Sequence, residues 1–207
     1  MIDQETRDHA IKLVQAGDPR FFIENLLVVA SKQNQLVPFH LNRLQDYVYR
    51  ETTGRDYYLK YRQGGSSIYQ LARLFAFTAC TPFFNAAVIT LSTDHGRTKE
   101  RLFKHVERFV ESMPPEFPVS VGHKRVDYFE FDETDSQMFI GTVGSREFGR
   151  GETFNALMVT ELGSFTSTEA DNVLTSAVES VVPGGILVFE TTPKLMGSHA
   201  HGLYMDC

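Results

Sequence analysis

The chain has 207 residues, of which 42% are hydrophobic, enough to bury a sizeable core in one large domain. Its net charge of −6 argues against a surface coated in positive charge for nonspecific DNA binding, although a local basic groove would survive that average. Two cysteines, Cys80 and Cys207, indicate neither a disulfide framework nor a zinc cluster, and no apolar run approaches the roughly 18 residues that span a bilayer, so a reducing cytoplasm and no membrane are expected.

From the N-terminus, "ETRDHAIKLVQA", "DPRFFIENLLVVAS" and "LNRLQDYVYRET" read as three helices, the second with Asp18 as cap and Pro19 at its first position. Gly54 closes the third. Short apolar segments then alternate with helices: the strand "YYLKY", a helix over 67–79, the strand "NAAVITLS", and the helix "DHGRTKERLFKHVERFVESM". This alternation predicts a parallel sheet with crossover helices. "KRVDYFEFDETDSQMFIGTVG" predicts an antiparallel hairpin turning at residues 132–135. "FNALMVTEL" and "GILVFETTP" are buried strands by their apolar runs, separated by a helix "TEADNVLTSAVESVV" that Pro183-Gly184-Gly185 stops. The expected organisation is an α/β core over 54–207 behind a helical segment over 1–53 that packs on it.

A strand, a glycine turn and a helix meet in "YYLKYRQGGSSIYQLARLF". A triphosphate needs inward-pointing backbone N–H groups at a helix N-terminus, a cation for the β- and γ-phosphates and a hydroxyl for Mg2+. Gly64 and Gly65 permit the tight backbone, Ser66 or Ser67 supplies the hydroxyl, and Lys60 and Arg62 lie on the strand side. The lysine of a P-loop, GxxxxGK[ST], is absent, since Ser66 holds its position. On this stretch alone, a phosphate cradle and an ordinary turn whose glycines serve positive φ are equally compatible.

Downstream segments bear on the choice. "ALMVTE" is an apolar strand ending in Glu161, placed to polarise a water beside a γ-phosphate. Thr160 precedes it and offers a hydroxyl without charge, so metal binding is weaker or relies on Glu161 itself. "LVFETTPK" brings Glu190, Thr191 and Thr192 to the end of another strand, where hydroxyls would contact the γ-phosphate or its water, or simply mark a strand exit. "GSREFGRGETF" carries Arg146 and Arg150 in a glycine-rich loop, suited either to reach a phosphate across a subunit interface or to pair with Glu147 or Glu152. Upstream, Gln45 can pair with the donor and acceptor edge of adenine while Phe39 stacks on the base.

Taken together, "VPFHLNRLQ", "LKYRQGGSS", "GRGETFNALMVTE" and "ETTPKLMGSHAHGLY" resemble the Q motif, deviant Walker A, arginine loop with Walker B, and coupling motif of the large terminase subunit, the DNA-packaging motor of tailed bacteriophages. The resemblance covers residues 21–204. It implies a RecA/ASCE-like P-loop NTPase fold, with a mainly parallel central sheet flanked by helices. It assigns Lys60, Arg62, Gln63, Gly64, Gly65, Ser66 and Ser67 to the phosphates, and Gln45 and Phe39 to adenine. Ser67 and Glu161 become Mg2+ ligands, Glu161 also the catalytic carboxylate, Arg150 an arginine finger acting in trans, and Thr191 and Thr192 the coupling element. The implied cofactors are ATP and Mg2+. The implied partners are double-stranded DNA, further copies in a ring on the portal, the portal protein and the small terminase subunit, in the cytoplasm of the host cell.

Two departures stand out. Thr160 occupies a position where the family usually has Asp, and "GSHAHG" lacks an asparagine often found after the coupling motif. Family members usually continue into an RNase H-like nuclease domain, and the chain stops at Cys207, so no DNA cleavage is expected of it. The acids at residues 132–135 and the pair His199 and His201 read as solvated, and no zinc is expected. Two other readings stay open: a nucleotide-binding or oligomerisation module with little turnover in isolation, and a helicase-like ATPase, which the lack of a second RecA-like domain disfavours.

Overall fold

A computed structural model of the chain describes residues 2–91, 97–115, 117, 121–124, 128–143, 153–193, 201, 202 and 205. Helix α1 (Gln4–Gln15) starts where the Asp3 carboxylate accepts the Thr6 amide at 2.8 Å, and it buries Ala10 and Val14. Helix α2 (Arg20–Leu26) follows Pro19, with Asp18 accepting the Arg20 amide at 3.0 Å. The helix expected to run on through "VVAS" ends at Leu26 instead. Val28 and Val29 are β-branched and stiff at χ1, and they enter a short strand β1 (Val28–Ala30), antiparallel to β2 (Leu36–Pro38). The N-terminal segment is therefore helical with a small hairpin inserted.

Helix α3 (Arg43–Glu51) opens with a capping box between Asn42 and Gln45. Strand β3 (Arg55–Leu59) leads through the glycine turn into α4 (Ser66–Cys80), whose residues from Tyr69 to its end are all buried. A helix apolar nearly all round belongs in the core. Strand β4 (Ala86–Thr90), helix α5 (Arg97–Ser112) and strands β5 (Val121–Lys124), β6 (Tyr128–Phe131) and β7 (Ser136–Thr142) follow. Strand β8 (Phe154–Thr160), helix α6 (Ser167–Asn172), a π-helical turn (Val173–Ala177) and strand β9 (Val181–Thr191) come next.

Among the described residues, seven strands form one sheet in the order β3-β9-β8-β4-β7-β6-β5. The first five are mutually parallel, and β6 and β5 add antiparallel at one edge. The hairpin predicted around residues 132–135 is β6 and β7; β5 extends the sheet beyond that prediction. Along β4 and β8, alternate residues serve opposite faces. Ala86, Val88, Ala156 and Met158 join the cluster with Val14, Phe22, Phe75 and Phe109, whereas Ala87, Ile89, Leu157 and Val159 join Ala170, Val173 and Ala177. Burial on both faces explains why these strands read as unbroken apolar runs.

Strand β9 corrects a second expectation. Pro183-Gly184-Gly185 does not separate helix from strand but lies inside the strand, as an excursion: Phe154 pairs with Val181 and Ala156 with Ile186. The extra residues sit out of register where Pro183 has no N–H to donate and Gly184 takes φ 78°. Because β9 lies between β3 and β8, its C-terminal end meets the ends of both neighbours.

Candidate functional site

The glycine turn is braced from α3. Asn42 Nδ2 donates to Gly64 O at 3.1 Å and Gln45 Nε2 to Gly65 O at 2.9 Å, while Gln45 Oε1 accepts the Asn42 amide at 2.9 Å. This close approach demands glycine most at Gly65, whose backbone is left-handed, and less at Gly64, whose neighbour is the movable end of a leucine side chain. A Cβ on Gly65 would stand 2.8 Å from Gln45 Nε2, at a φ of 79°, and one on Gly64 would stand 2.7 Å from Leu44 Cδ2. Gly65 is the N-cap of α4, and no side chain caps the helix, so the positive end of its dipole opens toward the cleft in front of it.

Lys60 follows β3, its amide donating to Thr191 O at 2.9 Å, and its side chain is buried at 9% exposure. The ammonium sits among four oxygens: Ser67 Oγ at 2.5 Å, Glu190 Oε1 at 2.7 Å, and Thr160 Oγ1 and Glu161 Oε1 each at 3.5 Å. Glu190 is fully buried. Its Oε1 also accepts the Thr160 hydroxyl at 2.7 Å, and its Oε2 the Ser66 hydroxyl at 3.0 Å. Glu161 differs: its side chain is 28% exposed and its backbone is left-handed at φ 61°, a conformation that non-glycine residues adopt mainly where the surroundings impose it. Gln63, on the turn, shares that conformation at φ 61°.

Together these groups border a cleft of about 640 Å³. Its walls include residues 60–68, Thr160, Glu161 and Thr192, with Thr98, Arg101 and His105 of α5 opposite. Burial, then the charges of Arg108 and Arg101, holds the His105 imidazolium below its ordinary pKa. Behind the cleft, Thr191 Oγ1 accepts the Gly163 amide at 3.0 Å, joining β9 to the single 3-10 turn (Leu162–Ser164) that follows Glu161.

Of the residues singled out from sequence, Lys60, Arg62, Gln63, Gly64, Gly65, Ser66, Ser67, Glu161 and Thr192 line the same cleft. Thr191 is buried directly behind it. Two lie elsewhere. Phe39 is 2% exposed, its ring in the core 6.3 Å from that of Phe109, so stacking on a base is corrected to core packing; Tyr61, 64% exposed, lines the cleft. Gln45 is 3% exposed and its amide is engaged at both ends by the helix cap and the turn, so in this structure it braces the turn rather than presenting an edge to a base. Arg146 and Arg150 lie outside the described residues, as does residue 199. Sequence reasoning passed over the α5 wall and gave Glu190 no role. The signal for Glu190 was an acid at the end of an otherwise apolar strand, the same signal that marked Glu161.

No family model matches the sequence, and no curated protein does. Solved structures do match. The large terminase of bacteriophage HK97 superposes with a TM-score of 0.70 at 15% identity over 95% of this chain, which spans 40% of that protein's length. The large terminase ATPase domain of Thermus phage P74-26 gives 0.57 at 19% identity, covering 77% of this chain and 67% of that one. The chain has the fold of a phage large-terminase ATPase domain. A further large terminase, from a thermophilic bacteriophage, gives 0.56 at 12% identity, with 79% of this chain and 41% of that one covered. Among the described residues, no helix is long and apolar enough to cross a membrane.

Proposed function

We propose that this chain is the ATPase domain of a viral DNA-packaging motor, hydrolysing ATP to drive double-stranded DNA into a prohead. The observation that carries the reading is the convergence, in one cleft, of the uncapped N-terminus of α4, the Lys60 ammonium and the Glu161 carboxylate 3.5 Å from it. A terminase-like fold supports it.

Backbone N–H groups of the turn and the first turn of α4 receive the phosphates, and Lys60 and Arg62 supply positive charge to the oxygens on which charge develops. Glu161, open to the cleft, orients and polarises the attacking water. Tyr61 at the mouth offers a face for the base, a part that the sequence pattern assigns to Phe39. The oxygen set around the Lys60 ammonium, Ser67, Glu161, Glu190 and Thr160, has the hard-donor chemistry that suits Mg2+, which usually binds through one or two carboxylates together with substrate phosphates. Ser67 and Glu161 would hold it, and when bound it neutralises charge on the β- and γ-phosphate oxygens.

Arg150 of a neighbouring copy completes the site in trans, in a ring assembled on the portal protein with the small terminase subunit, in the host cytoplasm. The Thr191 to Gly163 hydrogen bond carries the state of the Glu161 turn into the sheet. ATP turnover measured against protein concentration tests this. The rate per subunit rises with concentration, Glu161→Ala abolishes turnover while nucleotide still binds, and Lys60→Ala weakens binding. No hydrolysis at any concentration would favour the binding module, and unchanged turnover in both variants would overturn the assignment.

A further inference from the structure

Two carboxylates grip one ammonium at the floor of the cleft, and they are not equivalent. Glu161 is partly exposed and borders the cleft. Glu190 has no exposed surface, and each of its oxygens is engaged: Oε1 accepts from Lys60 at 2.7 Å and from Thr160 at 2.7 Å, and Oε2 accepts from Ser66 at 3.0 Å. A buried carboxylate persists only when paired and hydrogen-bonded. These three donors come from the two ends of the glycine turn and from the strand that precedes Glu161, so Glu190 is the joint at which all three meet. Thr160 and Glu190 are register partners on β8 and β9. The Glu190 carboxylate therefore stands one strand across from Thr160 and accepts its hydroxyl at 2.7 Å.

We infer that Glu190 is the positioning residue of the phosphate site: a buried carboxylate that holds the cation at the floor of the cleft, Lys60 in this structure, so that Glu161 is not the main partner of that cation. The inference rests on the nucleotide reading above. Glu190 acts through Lys60, Ser66 and Thr160, because its own oxygens are buried and occupied. Without Glu190, the close carboxylate left to Lys60 among the described residues is Glu161 at 3.5 Å.

The test is the affinity for a fluorescent ATP analogue with Mg2+ and with a chelator instead, in the unaltered chain, Glu190→Gln, Thr160→Asp and the double variant. In the unaltered chain Mg2+ tightens binding. In Glu190→Gln the ratio of the two dissociation constants falls about tenfold, the low end of what outer-shell groups contribute to metal affinity. Thr160→Asp alone puts two carboxylates at hydrogen-bonding distance, whose repulsion offsets the added charge, and the ratio does not rise. In the double variant the carboxylate is regained from β8, the amide introduced on β9 can donate to it, and the ratio returns to within about threefold of the unaltered chain, so Thr160→Asp reverses its effect with the partner present. If Glu190→Gln fails to fold, a folded double variant with restored Mg2+ dependence supports the inference, and a double variant that also fails to fold overturns it. Equal weakening with and without Mg2+, or a double variant no better than Glu190→Gln, overturns the inference and leaves the functional reading standing. No nucleotide binding by the unaltered chain would instead remove the reading on which it rests.

Discussion

Thr191 Oγ1 accepts the Gly163 amide at 3.0 Å, so the end of strand β9 is tied to the turn that immediately follows Glu161. Thr191 is buried, and its hydroxyl donates onward to Thr192 O at 3.0 Å. Thr191→Val keeps the shape and removes both bonds. We expect stability to fall by about 0.5–1.5 kcal/mol, because a part-buried amide loses its partner. Turnover should fall severalfold while nucleotide affinity stays within about twofold, since Thr191 is not on the cleft wall. Urea unfolding and steady-state hydrolysis check this, and a loss confined to affinity would contradict it.

Gly65 is the position where the backbone and its surroundings both demand glycine. Gly65→Ala forces a side chain into φ 79° and against Gln45 Nε2 at 2.8 Å. We expect a loss of about 1–3 kcal/mol in unfolding free energy. Gln45→Ala is expected to cost about 1–2 kcal/mol through the lost cap and brace, and to weaken nucleotide binding by loosening the turn that its amide holds. Denaturant melts with and without nucleotide separate the two effects.

Tyr61 and Phe39 divide what the sequence suggested was one role. Phe39→Ala removes a buried ring and should cost about 3–5 kcal/mol of stability. Tyr61→Ala removes an exposed ring, should leave stability within about 0.5 kcal/mol, and should weaken nucleotide binding by about 1–3 kcal/mol, the range for base stacking on an aromatic face. Thermal melts and a binding titration of both variants decide between them. Weakened binding from Phe39→Ala at full stability would reverse the assignment.

The wall of the cleft formed by α5 predicts a pH dependence. Burial, and then Arg108 and Arg101, lower the pKa of His105 from 6.5. The unfolded chain therefore binds more protons than the folded one between the lowered value and 6.5, and stability rises with pH across that window. Acidification below about pH 6.5 should erode stability until the folded-state pKa is passed. His105→Gln should remove that part of the slope. Urea midpoints at about pH 7.5 and about pH 5.5, on either side of the ordinary histidine pKa, measure it, and an unchanged slope in His105→Gln would contradict it.

Much of this was legible in the sequence where local pattern and tertiary demand agree. The runs around Val88 and Met158 announced strands buried on both faces, and the hairpin at residues 132–135 followed from alternation alone. Elsewhere two local signals competed. "VVAS" continued a helical pattern, but Val28 and Val29 are β-branched and found a partner strand at residues 36–38. Pro183-Gly184-Gly185 reads as a boundary, yet an excursion from the ladder tolerates it, because the residues that break structure are also those a bulge needs. In the site, the glycine turn, Lys60 and Glu161 were visible because each carries its chemistry locally. Glu190 was not, because its role depends on β9 lying between β3 and β8, a fact of topology that no stretch of sequence states. A motif names residue types but not which way the fold turns them: Phe39 packs in the core and the Gln45 amide is held by the helix cap and the glycine turn.

The central claim is that phosphates bind at the glycine turn, with Lys60 as their cation. In this structure the Lys60 ammonium rests on Ser67 and Glu190. A crystal structure with a nonhydrolysable ATP analogue and Mg2+ tests the claim most directly. The account predicts the γ-phosphate between the N-terminus of α4 and Glu161, with Lys60 Nζ moved from Ser67 Oγ to within hydrogen-bonding distance of a phosphate oxygen. Nucleotide bound outside this cleft, or bound in it with Lys60 still on Ser67, would contradict it.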